Sequence, residues 1–121
     1  MNYLDYLSRL SLKVVESSLG EETPQYKVFL LLDNKKIASV ENEGIGGCGL
    51  WRWNSKTKEK KFFEFIEELK KNKLIDDFEP EDTIIHILLD EYDEVNVLGK
   101  TSVTREQRLS HYYKSFQCDI I

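Results

Sequence analysis

The clearest pattern in the chain is the run QYKVFLLLD at residues 25–33. Both of its alternating sets are apolar, with Tyr26, Val28, Leu30 and Leu32 on one side and Phe29 and Leu31 on the other. Strand side chains alternate between faces, so this pattern predicts a central strand covered on both. Asp33-Asn34-Lys35-Lys36 reads as a tight turn, because Asn tolerates the positive φ that hairpins require. Residues 36–41, KIASVE, then return antiparallel. Upstream, SLKVVESSL at 11–19 alternates Leu12 and Val14 with Lys13 and reads as a strand. The competing reading continues a first helix through to Leu19, with Gly20 as its C-terminal cap. Gly20 to Pro24 is a turn by composition.

Helical spacing takes over on either side. Asn2 can cap a short helix in the first ten residues, with Tyr3, Leu7 and Leu10 on one side. Residues 56–72 form a helix in which Phe62, Phe65, Ile66 and Leu69 share a face, Ser55 caps the start and Lys70 and Lys71 suit the negative end. Glu79-Pro80-Glu81-Asp82 opens a helix over 80–93 with Ile85, Leu88, Leu89 and Tyr92 as its stripe. A buried strand over Thr83–Leu89 is the alternative for so short an apolar run. Gly99 breaks the chain. Thr104 with Gln107 fits a capping box for a helix over 103–117, with Leu109, Tyr112, Tyr113 and Phe116 on its apolar face and Cys118 and Ile120 at its end. The expected fold is α+β, an N-terminal antiparallel three-stranded meander packed against about three helices in a single domain, 1–121.

Charge sharpens this outline. The formal net charge is −5, from 22 acidic and 17 basic residues, which argues against nonspecific nucleic-acid binding. Residues 52–73 hold eight basic and four acidic side chains, whereas residues 75–94 hold nine acidic and none that is Lys or Arg. The acidic run is either a solvated face or a mimic of nucleic-acid phosphates that blocks a basic groove. No stretch approaches the roughly 20 apolar residues of a membrane span, so no membrane partner is expected. The opening MNYLDYLSRL lacks the basic start and apolar run of a secretory signal, so the expectation is a cytoplasmic protein with Cys48 and Cys118 as free thiols.

The segment with the most unusual chemistry is ENEGIGGCGLWRW, residues 41–53, where four of the six residues from Gly44 to Gly49 are glycine. Ordered glycine-rich backbone can direct several N–H groups into one anion-binding concavity. Asn42, Gly44, Gly46, Gly47, Trp51, Arg52, Trp53 and Lys56 are the candidate ligand-binding residues. In this reading Arg52 pairs with a phosphate, a Trp stacks on a base, and the start of helix 56–72 adds a positive dipole. The same features also describe a tight connection that buries Trp51. The Lys-Ser/Thr pair of a P-loop is missing, and His86 and His111 have no CxxC-like or HExxH-like spacing around them. No cofactor and no metal are expected.

From residue 17 to 49 the order is an apolar strand, a polar turn with paired lysines, a second strand, and Asn42-Glu43-Gly44-Ile45-Gly46-Gly47. This order resembles small bacteriophage and mobile-element proteins of uncharacterised role, in which the hairpin and Asn-x-Gly-x-Gly-Gly turn precede an aromatic residue and a helix. Trp51 and Trp53 stand in that aromatic place. The resemblance covers about a quarter of the chain. It implies a phage protein in the host bacterial cytoplasm, where small accessory proteins often counter host immunity, and it supplies no catalytic residues. The expectation is a non-enzymatic antagonist of a bacterial defence system. It either sequesters a small anionic ligand, such as a nucleotide messenger, or blocks a host defence protein. Pairing of exposed sheet edges would make a homo-oligomer. The competing classes are a Cys-dependent hydrolase using Cys48 with His86 or His111, and a phage housekeeping factor. With Cys48 as a packing residue, Cys48→Ser leaves function nearly intact. Rapid stoichiometric iodoacetamide labelling at neutral pH, with loss of function, would establish the hydrolase instead.

Overall fold

Asp33 and Asn34 both take positive φ, 52° and 65°, and close a two-residue hairpin of the mirror-image turn type whose twist matches the flanking strands. This turn organises the sheet. A computed structural model describes residues 2–19, 24–44 and 49–119. The chain is α+β, in the order α1 (Tyr3–Arg9), β1 (Leu10–Leu19), β2 (Pro24–Leu32), β3 (Lys35–Asn42), β4 (Leu50–Trp53), α2 (Lys56–Lys71), α3 (Pro80–Leu98) and α4 (Arg105–Asp119). It divides into two compact units, Arg9–Phe62 and Met1–Ser8 with Phe63–Ile121. Of the turn expected over Gly20 to Pro24, residues 20–23 lie outside the described residues and Pro24 opens β2; Ile120 and the side chains of Phe116 and Cys118 also lie outside. Among the described residues no helix is long and apolar enough to cross a membrane.

The first unit is an antiparallel meander in the order β1-β2-β3-β4. Residues 11–19 are therefore strand and not a continued helix. The meander has four strands where three were expected. Leu50–Trp53 is only four residues long and sits behind the glycine run, so it offers too few alternations to register as a period. It pairs with β3 through Ala38–Trp53, Ser39–Arg52, Val40–Trp51 and Glu41–Leu50. At the bulge between Leu30 and Leu31, Ile37 is the extra residue on β3. Its carbonyl accepts the Asn54 N–H at 2.9 Å, and the Asn54 side chain donates to the Lys36 carbonyl at 2.8 Å. Asn54 thus ties the end of β4 to the bulge and satisfies the backbone there.

Coverage of β2 on both faces does not hold. Tyr26, Val28 and Leu30 are buried, whereas Phe29 and Leu31 on the other face are only half-buried. Their cross-strand neighbours on that face are polar. Ser11 and Lys36 oppose Leu31, and Lys13 and Ser39 oppose Phe29. The Lys36 ammonium lies 4.1 Å from the Phe29 ring centroid, so a cation covers the ring in place of a second layer. At the turn, Arg9 clamps Asp33 through its Nε, 2.9 and 3.1 Å from the two carboxylate oxygens, and through Nη2.

The second unit is helical. Asn2 Oδ1 accepts the N–H groups of Leu4 and Asp5 and caps α1. α2 ends in a Schellman motif: Leu74 N–H reaches the Leu69 carbonyl at 2.9 Å, and Lys73 N–H reaches that of Lys70 at 3.0 Å. Lys73 takes the left-handed position at φ 56° that glycine usually fills. Over Thr83–Leu89 the chain is helix and not strand, and five apolar residues there, Ile84, Ile85, Ile87, Leu88 and Leu89, are buried. Burial is therefore broader than the single stripe expected, while Tyr92 is 38% exposed and leaves the core. α3 runs on past residue 93 to Leu98 and stops at Gly99, φ 76°, whose N–H returns to the Val95 carbonyl at 2.8 Å. The capping box forms as expected, with Thr104 N–H to Gln107 Oε1 at 2.8 Å and Gln107 N–H to Thr104 Oγ1 at 3.1 Å.

One-sided burial of β2 has a direct test. Leu30→Ala should lower stability by about 2–5 kcal/mol, the cost of emptying a fully buried site. Leu31→Ala should cost clearly less. Urea unfolding measures both, and equal losses would contradict the burial described.

Candidate functional site

The glycine segment begins with a turn of defined chemistry. Asn42 ends β3 with its side chain buried, and its Oδ1 accepts the N–H of Gly44 at 2.8 Å, with Gly44 at φ 78°. This is an Asx turn, so the Gly44 N–H is engaged by the chain itself. Gly46, Gly47 and Cys48 lie outside the described residues, and with them the proposed anion concavity and the proposed thiol.

Pleating decides the rest. Trp51 and Trp53 are two residues apart and share one face of β4, where their rings stack at 5.2 Å and 21°. Both also lie against Phe62, at 5.3 and 5.1 Å, and both are half-buried. Arg52, between them, belongs to the opposite face and is exposed. The structure therefore does not bring the tryptophans and Arg52 together around one ligand. Lys56 is exposed in the first turn of α2, where Ser55 Oγ caps the Lys58 N–H at 3.2 Å.

Arg52 instead joins a row that was not foreseen. The registers place Lys13, Phe29, Ser39 and Arg52 directly opposite one another across β1, β2, β3 and β4. Lys13 and Arg52, at the two ends, are exposed and in no ion pair among the described residues. Lys36 reaches the same ring from β3. The neighbouring row, Glu16, Lys27, Glu41 and Leu50, is different. There Lys27 lies 3.7 Å from Glu41, and an acid flanks it on each side. The open face of the sheet thus carries a half-buried aromatic ring with unneutralised cations on both sides. The alternation of Lys13 with Leu12 and Val14 was visible in the sequence, but its partner across the strand was not.

In the helical unit, part of the acidic run is engaged internally. Arg105 grips Glu91 through two 2.9 Å bonds and donates to the Leu7 carbonyl at 2.6 Å. Arg108 lies 3.2 Å from Glu94, and the Tyr112 hydroxyl donates to Asp90 at 2.7 Å. Asp82 is buried and Asp76 accepts the Phe78 N–H. Of the nine acids, Glu91 and Glu94 are paired with arginines and Asp77 lies 3.7 Å from Lys70, so pairing offsets only part of the charge of the run. Asp90, Val103, Gln107, Arg108, His111 and Tyr112 line a cavity of about 370 Å³. Burial, and then the bond to Asp90, push the Tyr112 hydroxyl far above its ordinary range, so it stays a donor. Among the described residues no group of three metal-ligating side chains gathers.

His86, on α3, titrates below its ordinary value near 6.5, because burial disfavours the cation more than Asp82, Asp90 and Glu79 favour it. Its unfolded form therefore takes up a proton first. Stability should be full above about pH 6.5 and fall as pH drops from there towards the lowered value. Asp33 and Glu94 are held below the ordinary carboxylate range, by the Arg9 hydrogen bond and the Ser102 backbone N–H respectively, so they too lose stability as pH falls. Their contributions are lost only at more acidic pH. Thermal unfolding of His86→Gln should lose the near-neutral part of the dependence and keep the acidic part.

Comparison with family models, with curated proteins and with solved structures gives no match for this chain.

Proposed function

We propose that this chain is a non-catalytic binding protein that captures a small anionic ligand of the nucleotide class on the open face of its sheet. The observation that carries the reading is the row Lys13, Phe29, Ser39 and Arg52, an aromatic ring with an exposed cation on each side. A base supplies a π-face for the ring, and phosphate oxygens supply acceptors for Lys13 and the Arg52 guanidinium. Arg52 keeps the role expected for it. Trp51 and Trp53 pass to a structural one, since they stack on each other and on Phe62. In the phage setting that the resemblance implies, capture of a nucleotide messenger would silence a host defence signal.

A second reading, blockade of a host defence protein, is favoured by a separate surface. Val95, Val97 and Leu98 near the end of α3, and Val103 just before α4, are exposed by 43, 80, 61 and 38%. Val95 and Leu98, three residues apart, share a side of α3, and exposed apolar side chains that adjoin one another mark protein contact surfaces.

Calorimetric titration with a panel of nucleotides separates the two readings. Nucleotide capture predicts a dissociation constant below about 100 μM, near −5.5 kcal/mol. Arg52→Ala should weaken binding by about 1.5–3 kcal/mol, the scale of a charge-assisted hydrogen bond. Trp51→Phe should leave affinity unchanged. Absence of nucleotide binding would remove this reading and leave the α3 surface. Binding insensitive to Arg52→Ala would move the site elsewhere.

A further inference from the structure

Resting on the nucleotide reading, we infer that the sheet face takes a nucleoside phosphorylated on both its 5′ and its 3′ oxygens, as inside a short oligonucleotide, linear or cyclic. The geometry of the row is the reason. Phe29 lies on β2, Lys13 faces it from β1 one strand spacing away, and Arg52 stands on β4 two spacings away on the other side. At about 4.8 Å per spacing, the two cations are about 14 Å apart with the ring between them.

A nucleotide with one phosphate chain projects its charge from one side of the sugar. With its base on Phe29, such a ligand places its phosphates at the Arg52 guanidinium, whose fork grips phosphate bidentately, and leaves Lys13 unmatched. A nucleoside with phosphates on both sides reaches both. Ser39, between the ring and Arg52, can donate its hydroxyl to the sugar or the nearer phosphate. The direction of the ligand is also set. In the adjacent row Glu16 and Glu41 stand on either side of Lys27, so that row is net negative and does not continue the cationic track along the strands, which favours a ligand backbone that crosses them. Lys36 covers the ring from 4.1 Å and must swing aside for the base, which leaves its ammonium beside the incoming phosphate. The row is four strands wide and then ends, so a longer strand finds no further partners on it.

The full chain is titrated at one salt concentration with adenosine, guanosine and uridine forms of the 5′-diphosphate, the 5′-triphosphate and the 3′,5′-bisphosphate. A 5′-phosphorylated trinucleotide, a longer oligonucleotide and a cyclic dinucleotide complete the panel. The bisphosphate of the preferred base should bind at least about tenfold tighter than its 5′-diphosphate, and the triphosphate should not match it. Lys13→Ala should abolish that advantage while leaving the 5′-diphosphate affinity in place, and Arg52→Ala should weaken every ligand. Both side chains are exposed, so unchanged thermal unfolding should accompany each loss. The tighter of the trinucleotide and the cyclic dinucleotide identifies the source, and the longer strand should gain nothing over the trinucleotide. Equal affinity for the diphosphate and bisphosphate, or a triphosphate as tight as the bisphosphate, would overturn this inference and leave nucleotide capture standing. No binding by any member of the panel would overturn both.

Discussion

The pairing of β4 with β3 is the interaction on which the cationic face of the sheet depends. Its four residues make a short ladder, and a ladder that short adds little by itself. What fixes it is the burial of its neighbours. Trp51 and Trp53 stack with Phe62 on one face, and Asn54 bonds the Ile37 and Lys36 backbone just beyond its end. With both flanking rings committed to one face, alternation leaves Arg52 only the other. A slip of one residue would exchange the faces and turn the guanidinium toward Phe62. The tryptophans therefore matter to the cationic face without belonging to it.

The helical unit solves its own problem with charge. α3 and α4 carry complementary pairs at the same helical interval, Glu91 and Glu94 on one and Arg105 and Arg108 on the other. The pairs are mostly shielded from water, with side-chain exposures between 11 and 24%, so their bonds are less screened than those of surface pairs. They lie beyond the last buried apolar turn of α3. Ionic contact thus takes over holding the two helices where the hydrophobic contact of α3 runs out.

Local signals in the sequence were readable where the physics is local. Asn2, Ser55 and the Thr104–Gln107 pair cap the helices they were expected to cap, because a cap is decided within three residues. The Asp33-Asn34 turn follows from the same kind of rule. Longer-range facts stayed hidden. β4 is too short to show a period, and whether Phe29 and Leu31 lie under a layer depends on partners that alternation cannot name. The extension of α3 to Leu98 was illegible because residues beyond Asp93 bury no stripe, and their helix is held by the ion pair of Glu94 with Arg108 on α4 and by the Gly99 cap. For the site, Arg52 and the two tryptophans could be named in advance, but not the face each occupies. Lys13 and Phe29, sixteen positions apart, become neighbours only through register.

The irregularity in β1 also bears on how the protein behaves among its neighbours. β1 and β4 are the outer strands of an open sheet, and an outer strand can recruit a foreign one. Here β4 is short, and β1 is interrupted where the register shifts between Val14 and Glu16, leaving Val15 out of the ladder and exposed. A bulge bends the strand and removes the flat run of N–H and C=O groups that growing fibrils copy. The open face can thus stay bare without its rims becoming a seed for aggregation.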